Sequence, residues 1–236
     1  MIEYKSNSRL PIANGPWPYL LYLRCMTDAI VTAEKLLQAD AVRLSPDEPF
    51  TWASGWKSPI YCDNRKILSQ PYIRDYIKSE LCNVVFEKFG DANLIAGVAT
   101  AGIAWGAMVA DQLKLPFIYV RPKPKEHGLG NQIEGGYEAG QKVLVIEDLI
   151  STGKSSLQVV EVLRRQGLEI TGMVSIFNYE FDQARKAFEE ASVPYHSLTN
   201  YPNLLSLAGQ KGLIQPGNEA ILLKWRSDPA NWTGLS

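Results

Sequence analysis

Apolar residues recur at three- to four-residue spacing over residues 28–38 and 72–89, the period of a helix that buries one face. The second stretch is opened by Ser69, Gln70 and Pro71 and closed by Gly90, residues suited to starting and stopping a helix. Between the two, residues 49–64 are rich in Trp, Ser, Gly and Pro. That composition predicts a shaped loop or short hairpin, with Ile60, Tyr61 and Cys62 its only strand-like stretch.

From Asn93 the pattern changes to short apolar runs alternating with helical periods. Residues 94–99, 117–120, 143–146, 173–177 and 195–198 read as strands, and 103–112, 155–165 and 182–190 as the helices between them. Continuous apolar strands separated by helices imply a parallel sheet covered on both faces. The tail adds a Leu-rich segment at 204–207 and a final helix near 218–225. The class expected is α/β, with a mostly parallel five-stranded central sheet. Ligands of such sheets bind at the carboxyl ends of the strands.

The 236 residues suit one sizeable core, and Lys+Arg 24 against Asp+Glu 25 leave a net charge of -1. Near-neutrality removes the field that drives non-specific nucleic-acid binding, so any basic site is local. Cys25, Cys62 and Cys82 lack CxxC spacing and meet only His127 and His196, which points to a reducing cytoplasm and no structural zinc. Residues 17–23 (WPYLLYL) are apolar but interrupted by Pro18 and preceded by Pro16. They fall short of the roughly 20 residues of a membrane helix and read as neither signal nor anchor. Met26 and Thr27 read as a helix start, making residues 1–25 an N-terminal extension to a single domain over 26–236.

The richest segment is VLVIEDLISTGKS at 143–155. An apolar strand ends in adjacent carboxylates, Glu147 and Asp148, followed by Leu149 and Ile150; then Ser151, Thr152 and Gly153 lead through Lys154 and Ser155 into a helix. A small-residue loop entering a helix presents free backbone N–H groups and positive partial charge, which suits a phosphate monoester. Carboxylates just upstream accept hydrogen bonds from vicinal hydroxyls, so the segment describes a pocket for a phosphorylated sugar. The plainer reading is a capped helix beside a solvated acid pair. GKS also resembles the end of a nucleotide P-loop, but that motif requires Gly where this chain has Asp148.

Two further segments weigh against the plainer reading. Residues 121–136 (RPKPKEHGLGNQIEGG) gather Arg121, Lys123, Lys125 and His127 ahead of several glycines, the make-up of a cationic lid suited to a diphosphate. Residues 97–106 (GVATAGIAWG) end a strand in small residues, which permits anion approach but equally serves tight strand-to-helix packing. His196, at the end of an apolar run, reads as structural.

With those motifs, and with PFTWASGWKSPIYCDNR at 49–65, the chain resembles the type I phosphoribosyltransferases, and within them the orotate branch, from about residue 26 to 225. The resemblance implies that fold, with a small hood built from about residues 26–70 plus the C-terminal segment over a core of about 71–200. It implies transfer of the phosphoribosyl group from 5-phosphoribosyl 1-diphosphate to orotate, in pyrimidine (UMP) biosynthesis. By resemblance Glu147 and Asp148 take the ribose hydroxyls and Ser151 to Ser155 the 5'-phosphate, with Ser151 also near orotate. Arg121, Lys125 and His127 face the diphosphate, Mg2+ is the cofactor with no side chain assigned to it, and the lid is shared between subunits of a homodimer. No nucleic acid or membrane partner is implied. Three positions depart from the family pattern by lacking a cation: Ala53, Pro122 and Asn178. The rival readings are a transferase for another base and a non-catalytic nucleotide-sensing regulator of the same fold.

Overall fold

The computed structural model describes residues 17–52, 54–123 and 132–233. Its centre is a sheet of strands β5 (Leu94–Val98), β6 (Phe117–Val120), β7 (Ile133–Glu134), β8 (Lys142–Ile150), β9 (Glu169–Asn178) and β10 (Tyr195–Asn200), in the order β10-β9-β8-β5-β6-β7. All neighbours pair in parallel except β6 and β7. The five parallel strands are those expected from sequence. The sixth, β7, is a two-residue antiparallel edge lying inside the segment read as lid. Two residues pairing through Tyr119↔Glu134 and Val120↔Ile133 are too few to show a period.

Helices cover both faces, as continuous apolar strands require. Leu144, Ile146, Val174 and Ile176 point to one side, where they meet α1 (Trp17–Gln38), α2 (Pro71–Lys88), α3 (Ala101–Leu113) and α6 (Tyr201–Gln210) through side chains such as Leu36, Ile77, Trp105 and Leu204. Val143, Val145 and Met173 point to the other, under Val160 and Leu163 of α4 (Lys154–Arg165) and Phe188 of α5 (Asp182–Glu190). Each fully buried Leu or Ile contributes about 1.5–3 kcal/mol, so both layers hold the sheet.

Two expected boundaries move. Helix α1 begins at Trp17, not at residue 28; Pro18 is its second residue, where a missing N–H costs no helical hydrogen bond. It therefore runs through the position where the N-terminal extension was expected to end. Strand β8 extends to Ile150, with Glu147 opposite Ser175 and Ile150 opposite Asn178, so the two acids lie within the strand rather than past its end.

The hood is made of short pieces. Strand β1 (Val42–Leu44) pairs antiparallel with β4 (Ile60–Cys62), and β2 (Phe50–Thr51) forms a hairpin with β3 (Lys57–Ser58). A 3-10 turn over Asn64–Ser69 leads into α2. The C-terminal helix α7 (Asn218–Ser227) closes over them. Its buried Trp225 packs edge-on against Trp52, Tyr179 and Phe181 and donates its indole N–H to the Lys57 carbonyl at 3.1 Å. One indole thus joins the hairpin, the exit of β9 and the C-terminus.

Candidate active site

The chain passes from β5 to β6 on one side of the sheet and then to β8 on the other. The crevice at the carboxyl ends of β5 and β8 is therefore the topological switch point, where open α/β sheets take ligands. The loop after β8 has the shape expected of an anion cradle. Gly153 caps α4 in the left-handed conformation (φ 76°), and a Cβ there would stand 2.8 Å from Cε2 of Phe188. Only glycine fits. Leu157 donates to the Gly153 carbonyl at 2.9 Å, so the earlier amides of the first turn are left for a ligand. Ser151 and Thr152 are half-buried, Lys154 and Ser155 exposed. The side chains of Leu149 and Ile150 pack into the two opposite core layers.

The acids differ. Glu147 is 5% exposed, accepts from Asp148 N at 3.0 Å, and accepts from Oγ of the buried Ser156 at 3.1 Å. Asp148 is less buried. Burial pushes both carboxyls above their ordinary range, and for Glu147 the neighbouring Asp148 charge adds to it. A carboxylate pair raised by desolvation is stabilised by hydroxyl donors, which is what a ribose diol supplies.

The other turn at this edge packs tightly. A Cβ on Gly97 would meet the Gly102 carbonyl oxygen at 2.7 Å, and one on Gly102 would meet that of Ile146 at 2.5 Å. These glycines let α3 sit against β5 and β8, the packing role weighed for them from sequence.

From the hood, buried Asn64 donates its Nδ2 to the Asp148 carbonyl at 2.7 Å. Next to it, Arg65 makes a two-point pair with Asp63, Nε to Oδ1 at 2.6 Å and Nη2 to Oδ2 at 3.0 Å. Its charge opposes the burial effect on Asp148. Asn64, Arg65 and Ser156 were not singled out from sequence. The first two lie in the segment that carried the resemblance, and Ser156 stands one place past the motif's end.

Arg121 leaves β6 beside Glu134, its Nη1 3.7 Å from the carboxylate. A cleft of 640 Å³ brings Arg121, Gln132, Thr152, Lys154, Ser155 and Arg165 together over an apolar floor. Glu147 and Asp148 do not line it; the hydrogen bonds place Glu147 under α4 and Asp148 toward the hood. Lys125, His127 and Ala53 lie outside the described residues. Asn178 is buried and accepts from Glu180 N at 2.8 Å, so it serves the turn after β9. Pro122 lines the cleft. Among the described residues, no three His, Cys, Asp or Glu converge as metal ligands and no helix is long and apolar enough to cross a membrane. Cys62 and Cys82 are buried free thiols.

Comparison with known proteins agrees with this geometry. The family model of the phosphoribosyl transferase domain matches residues 66–201. Orotate phosphoribosyltransferase of Phocaeicola vulgatus is 56% identical, and that of Bacteroides fragilis 55%, each over 200 residues covering 85% of this chain and 94% of the relative. The crystal structure of orotate phosphoribosyltransferase from Aeropyrum pernix superposes with a TM-score of 0.67 at 28% identity, covering 77% of this chain and 98% of that one.

Proposed function

Since the chain belongs to the orotate phosphoribosyltransferase family, we propose that it transfers the 5-phosphoribosyl group of 5-phospho-α-D-ribose 1-diphosphate to orotate, forming orotidine 5'-monophosphate and diphosphate. The observation that carries this reading is the Gly153 turn into α4 directly after the Glu147–Asp148 pair. One feature suits a terminal phosphate, the other a sugar diol.

In this reading the amides of residues 151–155 hold the 5'-phosphate, helped by the partial charge at the α4 N-terminus. Asp148, with Glu147 behind it, accepts from the ribose hydroxyls. Orotate N1 attacks C1 as the C1–O bond to diphosphate breaks, the N1 proton passing to the departing diphosphate, and the oxocarbenium character that develops is favoured by the nearby carboxylates. Arg121 faces the departing diphosphate, joined by Lys125 and His127 of the lid. Mg2+, when bound, would neutralise charge on the diphosphate; among the described residues no cluster of three His, Cys, Asp or Glu is assigned to hold it. The same reading takes the protein as cytoplasmic and as a homodimer whose lid, about 121–136, reaches the neighbouring site. It also takes residues 1–25 as an extension to one domain.

The test mixes protein, Mg2+, 5-phosphoribosyl 1-diphosphate and orotate and follows orotate's ultraviolet absorbance. A steady fall that requires the donor is the expected result. Consumption of hypoxanthine, adenine or uracil with orotate untouched would leave the donor site standing and overturn the acceptor. Nucleotide binding with no turnover of any base would favour a regulator.

A further inference from the structure

Orotate carries a ring carboxylate, and a buried anion needs a cation that the donor's phosphates have not already taken. The geometry points to Arg65 as that cation, an inference that rests on the acceptor proposed above.

Arg65 follows Asn64, whose side chain is fixed to the Asp148 carbonyl at 2.7 Å. The guanidinium is therefore tethered one residue from the point where hood and acid pair meet. Along β4, Ile60 and Cys62 are buried and Tyr61 is 39% exposed, so the Tyr61 ring stands on the open side of the strand that leads into Arg65. A flat anionic ring fits between such an aromatic face and a guanidinium.

Asp63 preorganises the fork. It takes Nε and Nη2 and also accepts from the Arg65 backbone N–H at 3.2 Å. A guanidinium has five N–H groups, so this pairing leaves three: both on Nη1 and one on Nη2. The free Nη2 hydrogen and one of the two on Nη1 form the end edge of the fork, which suits a second carboxylate bound at two points. The Arg65 side chain is 61% exposed against 18% for Asp63, so the clamp is the more buried partner and the arginine the reachable one. Its charge also acts on Tyr61 and Asp148.

Four other cations near the hood and the strand ends are engaged elsewhere. Lys57 donates to Thr51 across the hairpin at 2.8 Å, and Lys66 to Asp40 and its carbonyl. Arg226 donates to the Glu180 carbonyl at 3.4 Å, and Arg121 pairs with Glu134 on the donor side. Arg65 thus supplies the charge absent at Ala53 and Asn178.

Steady-state kinetics on Arg65→Gln and Arg65→Lys test this. Arg65→Gln is expected to raise the KM for orotate by about 10- to 100-fold, the loss of one charge-assisted contact. The KM for the phosphoribosyl donor, which Arg65 reaches only through its charge on Asp148, should rise far less than that for orotate, and the melting temperature should change little. Arg65→Lys, which keeps the charge but not the fork, should recover part of the loss. An unchanged orotate KM in Arg65→Gln, or KM values for both substrates rising together in both variants, would overturn the assignment. Turnover by the unaltered enzyme is read in the same assay, so failure of orotate as acceptor is seen separately from failure of Arg65.

Discussion

Asn64 and Asp148 are 84 residues apart in the chain, and a 2.7 Å hydrogen bond from the Asn64 side chain to the Asp148 carbonyl ties the hood to strand β8. Asn64 is fully buried, and its Oδ1 accepts from the Cys62 thiol at 3.4 Å. Replacing it with Leu removes both bonds and leaves a part-buried carbonyl unpaired, a loss of about 1–3 kcal/mol. Asn64→Leu should melt several degrees lower and bind the donor more weakly; chemical denaturation and donor titration check both. Unchanged stability would mean that the hood is held by its aromatic cluster alone.

Burial raises the carboxyls of Glu147 and Asp148, so their proton is lost only above the ordinary carboxylate value of about 4. Ribose hydroxyls need ionised acceptors. Donor affinity should therefore strengthen as pH climbs through the pair's titration, and calorimetry across that range should show it. For the empty protein the sign is opposite: a raised folded-state value favours the protonated fold, and that contribution fades as pH rises through it. Asp148→Asn is expected to weaken donor binding and flatten the affinity profile. An unaltered profile would remove Asp148 from the ribose site.

Gly153→Ala places a methyl group 2.8 Å from the Phe188 ring at a φ of 76°. The left-handed conformation alone costs a non-glycine residue about 1–2 kcal/mol, and the contact adds to it. The variant should lose several degrees of melting temperature and most of its donor affinity, because the shifted residue carries the first amides of α4. Scanning fluorimetry with and without donor separates the two effects. Full retention of both would mean that the turn is not the phosphate cradle.

His196 on β10 is half-buried, and burial, with the Lys88 charge, pushes its imidazole down to about 4. Asp28, Glu80, Glu87 and Lys88 share its 330 Å³ cavity, and desolvation is the larger cause of the shift. A value lowered in the folded state means that this contribution is whole above the unfolded value of about 6.5 and is lost as pH falls from there toward 4. His196→Gln should show a shallower decline in melting temperature across that interval. An identical decline would assign acid sensitivity to other groups.

Where the chain repeats a period, the sequence was readable. Five parallel strands and helices α2 to α5 follow from apolar runs and caps, because both faces of the sheet are buried and each strand therefore reads as continuous. The turn into α4 was readable because Gly153 after small polar residues suits a left-handed helix start. Elements of two or three residues, β1, β2, β3 and β7, carry no period and were missed or left within a loop. Pro18 hid the start of α1. At the site, Asn64 and Arg65 escaped because one bonds residue 148 and the other acts on it through its charge, and local pattern holds no trace of that partner. Lys125 and His127 were read from composition and lie outside the described residues.

The direct measurement is a crystal structure with 5-phosphoribosyl 1-diphosphate bound. The account predicts the 5'-phosphate on the amides of residues 151–155 and the ribose hydroxyls within hydrogen-bonding distance of Asp148. Donor density elsewhere on the sheet, with that turn occupied only by solvent, would contradict it.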